Sequence, residues 1–274
     1  MSGEHEAYMS PELILRVLEH ATPDVVLIGG QALAYWMGHY DIRAKGGTTQ
    51  AISRDVDFFT RNPANPEPLR QFAEAIGGRA EVTDARVLSA LVGSAVAPAG
   101  GGRVYNVDLL HNVIGLKRES VEKNAVIVLV PGTRVELRVM HPLDVLQSRN
   151  ANLHGLAEKQ DEAGRLQLQL AIEVARAFLD EQLTTIEQDT AASDHTRHRA
   201  VLDVIRSVNR YSTEDAARKN AERYGIFLAD AIPAWRIRSA AFWGKQWPHL
   251  RKRMSPAYAL QCEERASWNV PSAT

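Results

Sequence analysis

The chain has 274 residues, 45% hydrophobic and 24% charged, which is ordinary for a soluble globular protein and long enough for one large domain or two small ones. Its one cysteine, Cys262, excludes an intrachain disulfide and fits a reducing compartment. No apolar run approaches the roughly 20 residues of a membrane helix, and MSGEHEAYMS lacks the basic and apolar regions of a secretory signal, so the expected location is cytoplasmic, with no membrane partner.

Net charge is -1, but it is unevenly spread: His195 to Thr274 holds 14 Lys/Arg against 7 Asp/Glu, near +7, which leaves the remainder near -8. An acidic front and a basic back point to a polyanionic partner for the back.

Ser10 can cap a helix, with Pro11 in the first helical position, and Leu13, Ile14, Val17 and Leu18 follow at helical spacing, predicting a helix over 10–21. Val25 to Ile28 is a continuous apolar run, as expected for a strand buried on both faces. Gly29 and Gly30 break it, a helix follows from Gln31 to Met37, and 39–53 reads as a loop. Val56 to Thr60 is a second strand and Leu69 to Ile76 a helix. Arg79 to Thr83 and Val87 to Val92 are weaker strand candidates, with the APAGGG stretch 97–102 as a turn. Strands are expected at Val104 to Leu110, Val126 to Val130 and Val135 to Val139. From His141 the texture becomes helical, over 144–153, 160–187 and 196–211. The expected fold class is therefore α/β (α+β), a mixed sheet flanked by helices over 1–140 followed by a basic helical domain over 141–274.

Three constellations in the first part carry chemistry. Gly29-Gly30, between an apolar strand and a helix, lets the backbone approach a bound group, and the helix N-terminus behind it suits phosphate. The alternative is a plain strand-to-helix turn. In Ser53-Arg54-Asp55-Val56-Asp57-Phe58-Phe59, residues two apart share a strand face, so Asp55 and Asp57 point one way while Val56 and Phe58 point to the core. Two such carboxylates repel unless a cation lies between them, and a hard cation such as Mg²⁺ or Mn²⁺ is the natural occupant. The alternative is a surface pair on an edge strand. Asp108 lies in the apolar run Val104 to Leu110 and needs a partner. If its strand neighbours that of Asp57, at the usual spacing of about 4.8 Å, the three carboxylates converge and can hold two metals roughly 3.5–4 Å apart. Otherwise Asp108 caps a turn.

Gly-Gly at a strand–helix turn, Asp-x-Asp on a following strand and a single later strand aspartate together resemble the DNA polymerase β nucleotidyltransferase superfamily. The strings IGGQALAYW and SRDVDFF resemble the AbiEii/AbiGii-type nucleotidyltransferase toxins of bacterial toxin–antitoxin and abortive-infection systems, over roughly residues 20–180. The resemblance implies a Mg²⁺- or Mn²⁺-dependent transfer of a nucleoside monophosphate from an NTP. Gly29, Gly30 and Ser53 would meet the triphosphate, and Asp55, Asp57 and Asp108 the metal, with Asp108 helping to activate the acceptor. Arg149, where the family usually shows Lys, and Lys159, with Asp161 after it, would add nucleotide contacts. Gln31 stands where the family often has Ser or Thr.

In the basic part, cations and aromatics interleave from Trp235 to Arg253. Aromatics stack on bases and cations neutralise phosphates, so Arg251, Lys252 and Arg253 are candidate nucleic-acid contacts. Trp235, Trp243 and Trp247 fit a core at helical spacing equally well. The expectation is nucleotidyl transfer to RNA such as tRNA, with a small antitoxin protein as a further partner. The alternatives are nucleotidylation of a small molecule or protein, or a binding module without turnover.

Overall fold

The computed structural model describes residues 6–43, 54–84, 86–130 and 132–267. Most of the expected 39–53 loop, Ser53 included, lies outside the described residues. The chain divides into two compact units, Met1–Ser148 and Arg149–Thr274. The boundary expected at residue 140 lies at the end of the sheet; the observed division falls within the next helix.

The first unit runs α1 (Pro11–Glu19), β1 (Val25–Ile28), α2 (Gly29–His39), β2 (Val56–Thr60), α3 (Glu67–Ala75), β3 (Arg79–Val82), β4 (Leu91–Gly100), β5 (Arg103–Leu110), α4 (Arg118–Asn124), β6 (Val126–Leu129) and β7 (Glu136–Val139), with the start of α5 (Pro142–Gly155), whose residues from Arg149 belong to the second. The strands form one mixed seven-stranded sheet in the order β3-β4-β5-β2-β1-β7-β6. This is the expected α/β class, followed by the expected helical region. β1 is central: it pairs antiparallel with β2 and parallel with β7, and its four residues are at most 4% exposed. That double-sided burial is why its sequence is a continuous apolar run rather than an alternation. Phe58 of β2 stacks on Phe72 of α3 with ring centroids 4.4 Å apart, both fully buried. Trp36 Nε1 donates to the Met140 carbonyl at 2.8 Å, tying α2 to the end of β7.

One strand departs from expectation. The strand expected at 87–92 begins only at Leu91 and runs to Gly100, through most of the stretch read as a turn. The hairpin tip is confined to Gly101 and Gly102, both at positive φ.

The second unit contains α6 (Glu162–Gln188), α7 (Asp194–Tyr211), α8 (Asp215–Tyr224), α9 (Trp247–Arg251) and α10 (Pro256–Ser267). Asp161 caps α6 by accepting from the Gly164 amide at 2.7 Å, and Ser193 caps α7 by accepting from Thr196 at 3.2 Å. Asp230 is a polar anchor: it accepts from the Ser255 amide (2.9 Å) and hydroxyl (2.6 Å), while Arg176 donates to its carbonyl (2.8 Å) and lies 4.4 Å from the Tyr258 ring centroid. Cys262 is fully buried beside this cluster, and burial pushes its thiol up to about 12.

His141 precedes α5, and its Nδ1 accepts from the Leu143 amide at 3.1 Å. Burial pushes the imidazole from 6.5 down to about 4. A depressed folded pKa means that the unfolded chain takes up the proton first. His141 therefore contributes stability that is present above 6.5 and lost as pH falls toward about 4. Urea titrations across that window should show this loss in the native protein, and His141→Asn, which keeps a capping acceptor, should flatten it.

Candidate metal centre

The sheet order places β2 between β1 and β5. β2 and β5 run parallel, with Asp57 opposite Asp108, and β4 runs antiparallel to β5, with Ser94 opposite Asp108. Directly opposed residues share a face, so Asp57, Asp108 and Ser94 project together. Asp55 stands two residues ahead of Asp57 in a bend before β2, not within the strand. Ligand oxygens of Asp55, Asp57 and Asp108 nevertheless all lie within 4.8 Å of one another, and each residue is half-buried. The expected convergence is present, and these three residues could hold a metal ion. Mg²⁺ and its relatives bind oxygen at about 2.1 Å, so opposed ligands of one ion stand about 4.2 Å apart. A set spanning 4.8 Å closes on one ion with small side-chain movements, or spans two bridged ions.

Asp108 is the best-supported member. Ser94 Oγ donates to its Oδ1 at 2.5 Å and Asn106 Nδ2 to the same oxygen at 2.9 Å. Both donors fall on Oδ1, which leaves Oδ2 for an ion or a proton. Burial raises the Asp108 pKa; the two hydrogen bonds oppose this in part, and the Asp55 charge adds to it. Asn106 belongs to the signal that was present in the sequence, two residues before Asp108 on the same strand face. Ser94 could not be found from a reading that placed it outside any strand.

Gly29 is bound to the same carboxylates. It is the first residue of α2 and has φ +68°, and a Cβ built on it would lie 2.0 Å from Asp57 Oδ2. The Asp57 carboxylate thus occupies the space that a side chain would need at the start of the helix. The helix N-terminus favours negative charge there. So the glycine turn read from sequence as a phosphate cradle has a first duty toward Asp57. Gly30 is buried in the same helical turn.

The N-terminal segment flanks the site. The Ala7 amide donates to the Val104 carbonyl at 2.8 Å, and Glu6 bridges to Val104 alongside β5. Tyr8 then presents its ring to Arg54, whose guanidinium carbon is 5.2 Å from the ring centroid. A cation is thereby held one residue from Asp55.

The other sequence candidates belong to the second unit. Arg149 is buried in α5 and donates to Gln167 Oε1 at 2.9 Å. Lys159 is half-buried in a short 3₁₀ turn, Ala157–Lys159, and Asp161 is the α6 cap. Arg251 pairs with Glu263 at 2.8 Å. Arg253 donates to the Asn209 carbonyl (2.8 Å) and Oδ1 (2.6 Å) near the end of α7. Lys252 is exposed. Trp247 is buried and donates to Glu263 at 3.0 Å, Trp243 donates to the Ile237 carbonyl at 2.8 Å, and Arg265 lies 4.2 Å from the Trp235 ring centroid. These tryptophans are tied into the fold at one edge at least.

Two outcomes follow. Gly29→Ala must displace Asp57 and hold an L-residue at positive φ, which costs about 1–2 kcal/mol; the thermal shift produced by Mg²⁺ or Mn²⁺ should fall far more than that penalty explains. Asp108→Asn should raise the stability of the metal-free protein at neutral pH. A raised carboxyl pKa gives stability that is full below 3.8 and lost as pH rises through the folded value, and the amide removes that loss. Differential scanning fluorimetry with and without metal checks both. No family model matches this chain, and no curated protein matches it.

Proposed function

We propose that this protein is a metal-dependent nucleotidyltransferase that moves a nucleoside monophosphate from an NTP to an acceptor hydroxyl. The observation that supports this reading most is the convergence of Asp55, Asp57 and Asp108 within 4.8 Å beside the Gly29 helix start. In the reaction the acceptor oxygen forms a bond to the α-phosphorus, the bond from that phosphorus to the bridging oxygen breaks, and pyrophosphate leaves. Bound Mg²⁺ or Mn²⁺ would neutralise the phosphates and lower the pKa of the acceptor hydroxyl. Asp55 and Asp57 would supply the charge that holds the ion. Asp108, held through Oδ1 by Ser94 and Asn106, would take the hydroxyl proton on Oδ2.

We take RNA, such as tRNA, as the acceptor and NTP as the donor, in the setting of a toxin whose activity an antitoxin protein restrains. The basic excess near +7 from His195 onward supports a polyanionic acceptor over a small cationic one.

Incubation with each α-labelled NTP, total RNA and Mg²⁺ should transfer label to RNA and release pyrophosphate. Asp57→Asn should lower that rate by about a hundredfold or more, since loss of a metal ligand removes several kcal/mol of charge stabilisation. NTP-dependent stabilisation without pyrophosphate release would instead identify a binding module, and label on a small molecule would replace the RNA acceptor.

A further inference from the structure

The second unit has a cavity of about 520 Å³, within the range of ligand pockets. Ala217 and Ala221 of α8, with Phe227 and Leu228 after it, supply its apolar lining. The alanines leave the room, and Phe227, half-buried, is the aromatic ring in it.

The charges lining this cavity do not balance. Arg253 gives its hydrogen bonds to neutral oxygens: the Asn209 carbonyl (2.8 Å) and Ser212 Oγ (2.9 Å) from Nη1, Asn209 Oδ1 (2.6 Å) from Nη2, and the His249 carbonyl (3.4 Å) from Nε. Among the described residues it has no carboxylate partner, although it is half-buried, and that burial lowers its pKa. Lys252, exposed beside it, likewise has no ion pair among the described residues. Arg218 also lines the cavity and shares the single carboxylate of Asp215 with Lys219, so that group keeps one positive charge. Glu222 is the acid facing the cavity. Lys252 and Arg253 outnumber Glu222, and Arg218 with Lys219 outnumbers Asp215, so the cavity keeps an uncompensated positive charge that suits a phosphate group.

An apolar floor with one ring, next to a net positive rim, is complementary to a flat base joined to a phosphodiester. We propose that this pocket holds one nucleotide of a single-stranded nucleic acid, its base on Phe227 and its backbone phosphate at Lys252 and Arg253. The inference stands on the pocket alone and does not require turnover at the carboxylates.

The test is fluorescence anisotropy of the full chain with labelled ten-nucleotide RNA and DNA of one sequence, across a salt series. Phe227→Ala should weaken binding roughly tenfold or more with the salt slope unchanged, because stacking is uncharged. Lys252→Gln, at an exposed position that folding does not depend on, should reduce the slope by about one. Losses shared by RNA and DNA assign the pocket to either strand, and losses confined to RNA add the ribose hydroxyl to what it reads. Asp57→Asn should bind the strand as the native protein does, which separates this inference from the proposed activity. Native-like affinity and slope in both variants, or absence of strand binding altogether, would overturn it. Displacement of the strand by equimolar free AMP would overturn it too, by making the site one for a mononucleotide. Should Phe227→Ala fail to fold, the slope of Lys252→Gln decides.

Discussion

The Asp57 carboxylate lies where a Cβ on Gly29 would lie, and the geometry of the first unit follows from that shared space. Ile28 opposes Asp57 across the β1–β2 pair, so the residue after Ile28 must pass beside the carboxylate. Only glycine passes without collision, and its positive φ turns the chain at once from strand into helix. The start of α2 therefore faces a negative charge, which its unpaired amides favour. From Asp57 the parallel pairing with β5 carries the constraint on to Asp108, and the antiparallel pairing of β5 with β4 carries it to Ser94. Four strands and one helix are thus registered around a group of like charges, an arrangement unfavourable by itself that a cation would relieve.

The parts of this fold that sequence reasoning reaches are those in which burial and period coincide. β1, β2 and β5 are central, and their runs of Val, Ile, Leu and Phe announce them. Ser10 and Pro11 announce α1, and its start is as expected. β4 is hidden because it is built from small residues: Gly93, Ala95 and Ala97 with Pro98 imitate a turn. Gly93 is small for a reason that only the folded chain reveals, since a Cβ there would meet the Glu81 carbonyl at 2.4 Å and Leu69 at 2.6 Å. Missing β4 hides Ser94 as well. Asp55 was reached by strand alternation, yet it stands in a bend, so its approach to Asp57 comes from the turn into β2 and not from the pleat.

Charge composition is legible at the scale of a domain and not at that of a residue. The basic excess of the back half is a property of the chain, but which cations remain for a partner depends on what each one already holds. Arg251, Lys252 and Arg253 are adjacent in sequence and have three different fates: an ion pair with Glu263, exposure, and hydrogen bonds to Asn209 and Ser212. Likewise, Trp243 and Trp247, which look suited to stacking on bases, spend their indole N–H groups inside the fold. The pocket beside Phe227 draws only Lys252 and Arg253 from the cation–aromatic run, and its ring and apolar walls come from residues earlier in the sequence.

Cys262 gives the second unit a property of its own. A thiol held fully buried, with its ionisation pushed up to about 12, is almost never thiolate at neutral pH and is out of reach of reagents. Reaction with a soluble disulfide or maleimide must wait for the packing around Asp230, Arg176 and Tyr258 to open. Since the chain has no other cysteine, the rate of that single modification is a clock for local opening of the helical unit, readable without a label and separate from events at the sheet. The same burial that makes the thiol chemically silent makes it an internal gauge of how often this half of the molecule comes apart.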